Sequence, residues 1–114
     1  MDNDSRYLDI ESALNRVRGK SALIKRLLTM FLQGKHFDEF EAALEECDFE
    51  KASEVAHAIK GETANLSMPL LSETAGSLMV QLRNGPPDSD TLETYREALQ
   101  RTLELVQVAI DTME

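Results

Sequence analysis

His57, Lys60 and Gly61 stand within one helical turn of each other, and their types suit chemistry on an anionic group. At about 100° per residue, Ala52, Val55, Ala56, Ile59, Thr63 and Leu66 gather on one side of a helix, the expected core stripe. His57 falls on the outer face, Gly61 follows it one turn later and Ala64 two turns later, while Lys60 sits at the border of core and solvent. An exposed imidazole ordinarily titrates close to neutral pH, so part of it carries a free nitrogen lone pair that can act as a nucleophile. The long stem of Lys60 can bring an ammonium beside that ring. A glycine inside a helix costs roughly 1 kcal/mol relative to alanine, and an exposed position has no packing use for one. Clearance for something large approaching His57 is a use. A histidine with open space and a neighbouring cation suits reaction with a phosphoryl group.

Around this centre, Glu54 is spaced to accept a hydrogen bond from the second ring nitrogen of His57, and Ser53, Ala64 and Met68 are expected to share the outer face as a partner-docking patch. No Gly-rich loop followed by Lys and Ser or Thr offers a nucleotide-phosphate site. His36 and His57 lie in different segments without ligand spacing, so neither a metal nor another cofactor is expected. His36 and the run Glu45-Glu46 are read as surface residues, Cys47 as a semi-buried helix-end residue, and Ala75-Gly76-Ser77 as a close helix-packing step.

The elements that must hold these residues are all helical. Aromatics are 5% of the chain, Trp is absent, and no segment alternates apolar and polar residues as a half-buried strand would. A first amphipathic stretch, Leu8 to Val17, stops at Gly19. A second begins near Lys20 and carries Leu23, Ile24, Leu27, Leu28 and Phe31, and its apolar stripe resumes out of phase at Phe37, Phe40, Ala43 and Leu44. The phase change falls at Gly34-Lys35-His36, where either one helix kinks or two meet; the single kinked helix is the reading adopted. Asp48 is placed to cap a third helix over about 49–66, and Ser67-Met68-Pro69 ends it, with Pro69 opening the fourth. The fourth stops at Gly85-Pro86-Pro87, and Asp90 with Glu93 has capping-box spacing for a last helix reaching Met113. Short connections between long amphipathic helices predict an all-α, up-and-down antiparallel four-helix bundle with a short extra helix at the N-terminus, in one domain over 1–114.

Composition narrows the function classes. The 114 residues hold 21 acidic against 12 basic side chains, a net charge of −9, which disfavours a binder of nucleic-acid backbone or anionic lipid. Apolar residues at 42% suffice for one core, but runs such as Leu78-Met79-Val80 are far too short to span a membrane. The start, Met1-Asp2-Asn3-Asp4-Ser5, is too acidic and polar for a secretory signal, and the lone Cys47 cannot form an internal disulfide. A cytoplasmic location and a monomer are expected.

His57-Ala58-Ile59-Lys60-Gly61, preceded by Ala56 and followed by Ala64-Asn65-Leu66, resembles the signature of histidine-containing phosphotransfer (HPt) domains, and the Asp48-to-His57 spacing, the Leu71 and Ala75 pattern and the chain length fit as well. The resemblance implies a four-helix bundle serving as phosphocarrier in a two-component phosphorelay. It implies that His57 is phosphorylated, Lys60 balances the phosphoryl charge and Gly61 leaves room for the partner. That partner, a response-regulator receiver domain or a hybrid sensor histidine kinase, would supply the aspartate and Mg²⁺, so the chain would be a phosphotransfer intermediate rather than an enzyme. Two departures stand out: Ser67 where the family usually has a turn glycine, which leaves Ser67 as a candidate cap of the fourth helix, and Glu62 where a small residue is usual, a charge expected beside the docking face. A histidine-kinase dimerisation helix fits poorly, because Ala58 rather than an acidic residue follows His57. The alternatives are a helical scaffold that binds a receiver or kinase without being phosphorylated, and an excised phosphorylation domain of a chemotaxis-type kinase; the starting Met1 favours a stand-alone form.

Overall fold

The computed structural model describes residues 3–113, and all regular structure among them is helical. A 3-10 turn (Asn3–Arg6) leads into α1 (Ile10–Arg16), α2 (Ser21–Gln33), α3 (His36–Glu45), α4 (Phe49–Asn65), α5 (Pro69–Leu82) and α6 (Ser89–Thr112). Helix starts leave backbone N–H groups without partners, and three aspartates meet that need: Asp9 accepts from the Ser12 N–H, Asp48 from that of Lys51 and Asp88 from that of Thr91. The expected cap of α6, Asp90, is therefore corrected to Asp88. Asp88 takes extended backbone (φ −65°, ψ 132°) and the chain turns helical at Ser89, two residues earlier than a cap at Asp90 would allow, so Asp90 lies inside the first turn, where its charge suits the helix dipole. Gln81 fastens the junction, accepting from the Asp88 N–H and donating to Thr91 Oγ1.

The second amphipathic region is two helices, not one kinked helix. Gly34 takes extended backbone (φ −67°, ψ 151°), which ends α2, and α3 restarts after Lys35. On one continuous helix Phe31 and Phe37 would point about 120° apart; the break brings their rings edge to face at 5.2 Å.

Three connections close with left-handed residues other than glycine: Arg18, Cys47 and Ser67, with φ of 57°, 56° and 59°. In each the next residue's N–H reaches back to close the last helical turn, as Met68 N–H does to Thr63 O at 2.9 Å. Ser67 thus does not cap α5; Met68 occupies the cap position without a side-chain bond. Ser67 instead holds the N-terminal segment, accepting from the Asp9 N–H at its carbonyl and pairing its hydroxyl with Ser12 at 3.1 Å. Cys47, expected half-buried, is exposed at the α3–α4 turn.

The core is built from one stripe of each helix: Ile24, Leu28 and Phe31 of α2, Phe40 and Ala43 of α3, Ala52, Ala56 and Ile59 of α4, Leu71, Ala75 and Leu78 of α5, and Tyr95, Ala98 and Val106 of α6. α6, at 24 residues, spans about 36 Å of a body 43 Å long, and α2 and α5 both pack on it. α4 lies between α3 and α5, and its packing on α5 is the most extensive in the molecule. No helix among the described residues is long and apolar enough to cross a membrane.

Candidate functional site

α4 divides its faces as its sequence requires. Ala52, Val55, Ala56, Ile59 and Thr63 are buried, and His57, Lys60, Gly61 and Ala64 are exposed. The buried hydroxyl of Thr63 donates to Ile59 O at 2.7 Å, so it costs the core nothing. A Cβ built on Gly61 meets no atom within 4 Å, so the absence of a side chain there serves no contact inside the molecule.

α5 supplies the other half of the site. Met79 brings its Sδ to 3.2 Å from His57 Nδ1. Gly76 lies under the stem of Lys60: a Cβ at 76 would come to 3.3 Å from Lys60 Cδ. The two helices are tied by Ser53 Oγ donating to Met79 O at 2.9 Å and Ser72 Oγ donating to Lys60 O at 3.1 Å. One groove beside His57 is lined by Phe49, Ser53, Met79, Leu82 and Arg83, and a second, on the far side of Met79, by Lys60, Ala64, Ser72, Gly76 and Val80. Arg83, exposed just past the end of α5, lines the same groove as the imidazole. Val80 is 52% exposed, an apolar side chain open on this face.

Several expected placements change. Met68 is fully buried, because α4 has ended and the left-handed turn at Ser67 directs the next side chain into the core. Ser53 is buried as well, since α5 covers that flank of α4. Neither belongs to an exposed patch. Glu54 is exposed but makes no hydrogen bond to His57; helical side chains lean toward the N-terminus, which carries its carboxylate away from a residue that follows it. Glu62 adds no charge beside His57. It lies about 140° round the helix and pairs with His36 on α3, Oε2 to Nδ1 at 3.3 Å. His36 is a surface residue, its side chain 44% exposed, and Glu62 gives it a partner. No local pattern in the sequence marks Gly76, Met79 or Arg83 as site residues, because Gly76 and Met79 meet α4 across the α4–α5 interface and Arg83 shares only the groove beside His57.

The arrangement presents an exposed imidazole on α4, with Lys60 and Arg83 exposed on the same pair of helices and open space over Gly61. Among the described residues no cluster of three His, Cys, Asp or Glu side chains could hold a metal ion. No curated protein and no solved structure matches the chain. The family model of the Hpt domain matches residues 26–109, from within α2 to within α6 and including all of α4 and α5. An exposed histidine on the third long amphipathic segment of a helical bundle thus coincides with a match over most of the sequence, and the chain belongs to the Hpt domain family, whose role is that of a histidine phosphotransfer carrier in phosphorelays.

Proposed function

We propose that this chain is a phosphocarrier that accepts a phosphoryl group at His57 from a receiver-domain aspartate and returns one to it. The observation that carries the reading is the single exposed imidazole of α4, with Lys60 one helical turn on, its stem laid across Gly76, and open space over Gly61. Lys60 balances the charge of the phosphoryl group, and Gly61 admits the partner. Ala64, one turn beyond Gly61, belongs to the docking surface, and Val80 of α5 and Arg83 just after it extend it. The receiver or hybrid sensor kinase contributes the aspartate and its Mg²⁺. The chain contributes a positioned nucleophile and a shaped face, which makes it a transfer intermediate rather than an enzyme. Neighbour relations α3–α4–α5–α6–α2 with short turns support an up-and-down antiparallel bundle in which the broken α2–α3 unit is the first long member and α1 the extra N-terminal helix. We take it to work as a cytoplasmic monomer.

The test is phosphorylation of the wild type and His57→Gln with phosphoramidate, followed by intact mass and acid lability. An acid-labile adduct on the wild type and none on the variant is the expected outcome. No adduct on a folded wild type would favour a scaffold that binds a receiver without being phosphorylated, and an adduct persisting in His57→Gln would move the site to His36.

A further inference from the structure

The contact between His57 Nδ1 and Met79 Sδ, 3.2 Å, is the one hydrogen-bonding contact of the imidazole among the described residues. A thioether has lone pairs and no hydrogen to donate. It is therefore compatible with a protonated Nδ1 and opposes a bare one, whose lone pair would face those of the sulfur. Met79 is 8% exposed, so packing leaves its side chain little room to swing aside, and Ser53 Oγ donating to its carbonyl at 2.9 Å holds its backbone against α4.

We propose that Met79 is a positioning residue that keeps the imidazole proton on Nδ1 and so leaves Nε2 as the nucleophile, allowing His57 to take up and release a phosphoryl group without moving a proton. On uptake, the Nε2 lone pair attacks phosphorus, the P–O bond to the aspartate breaks, and its electron pair leaves with the carboxylate. Nδ1 keeps its hydrogen, and the phosphorylated ring carries a positive charge that the sulfur lone pairs face. On release, a carboxylate oxygen attacks phosphorus, the P–N bond breaks, and its pair returns to Nε2 as the same neutral Nδ1–H imidazole. Neither direction calls for a general base, which suits a carrier that must run both ways. The carrier step rests on the phosphotransfer reading above; the tautomer assignment does not.

The test is long-range ¹H–¹⁵N correlation of the imidazoles in the wild type, Met79→Leu and Met79→Gln, with phosphoramidate uptake measured beside it. Leucine conserves volume, so the core is retained. The wild type should show mainly the Nδ1–H form of neutral His57, and Met79→Leu should shift it toward Nε2–H and slow uptake roughly three- to tenfold, the span of one weak hydrogen bond. Met79→Gln, whose carbonyl can accept from Nδ1–H, should restore both. The same tautomer balance in wild type and Met79→Leu would overturn the proposal, as would a loss of rate with no change in tautomer. If the wild type takes up no phosphoryl group, the phosphotransfer reading fails while the spectra still decide what Met79 does.

Discussion

Gly61→Ala should make the protein more stable and a poorer relay partner at once. Glycine within a helix is disfavoured by about 1 kcal/mol against alanine, through the backbone freedom it loses on folding. At position 61 nothing opposes that gain: an ideal Cβ meets no atom within 4 Å, and α4 continues to Asn65, so the residue is interior and not a cap. The whole preference of about 1 kcal/mol should therefore appear as stability, raising Tm by about 4 °C for a domain of this size. Far-UV circular dichroism melts and urea titrations would read it. The functional cost arises only when a large partner approaches. Phosphoramidate is small enough to reach His57 past a methyl group, so its reaction should be unchanged. A receiver domain that exchanges with the wild type should meet the methyl as an overpacked contact worth roughly 1–3 kcal/mol, slowing transfer on the order of ten- to a hundredfold. A destabilised Gly61→Ala would mean that the position is not open. Unchanged receiver transfer in a stabilised variant would refute the clearance role of Gly61 while leaving His57 in place.

Tyr95→Phe removes a fully buried hydroxyl that has no hydrogen-bond partner among the described residues and should stabilise the fold by about 1 kcal/mol in urea titrations. Burial, with Glu41 adding to it and Arg96 opposing, raises the phenol well above its ordinary value of 10.0. Above that pH the unfolded chain releases a proton that the folded one retains, so stability is lost as pH climbs, by up to about 1.4 kcal/mol per unit; Tyr95→Phe should show a correspondingly shallower alkaline loss. At Ser67, a glycine relieves a left-handed conformation that costs an ordinary residue about 1–2 kcal/mol, whereas alanine keeps the strain and loses the Ser12 bond. Ser67→Gly should therefore exceed Ser67→Ala in urea stability by on the order of 1 kcal/mol, and equal stabilities would refute the strain. Lys60→Gln should leave folding intact but shorten the phosphohistidine lifetime and slow uptake by roughly two- to fivefold, the reach of an exposed charge pair; an unchanged lifetime by intact mass would remove its charge-balancing role.

Features whose cause lies within a few residues were legible in the sequence. The buried stripe of α4 and the outward His57 follow from helical period, the Asp48 cap from a side-chain oxygen before a periodic run, and the start of α5 from Pro69. Misplacements came where that arithmetic was carried past its domain. The helical period places Met68 on the outer face, but α4 ends at Asn65 and the turn through Ser67 breaks the period. Ser53 was placed correctly in angle, yet angle alone does not say where the neighbouring helix lies, and α5 covers it. The break at Gly34 left the same phase change that a kink would, and only backbone dihedrals separate the two.

The reactive centre belongs to a helix pair more than to a helix. Ser53 to Met79 and Ser72 to Lys60 are side-chain bonds to backbone carbonyls, and side-chain reach of this kind fixes how far α5 is slid along α4. A slip of one residue is about 1.5 Å of rise and 100° of rotation, enough to take the sulfur from Nδ1 and to bring Ala75 or Ser77 in place of Gly76 beneath Lys60. The same register is set at its near end by the tight turn through Ser67 and Met68, whose side chain is fully buried. Changes on α5 and in that turn should accordingly alter the chemistry of His57 without touching α4. The short motif around the histidine sets the face on which His57, Lys60 and Gly61 stand; the approach of α5 sets what meets His57 Nδ1 and what lies under the Lys60 stem.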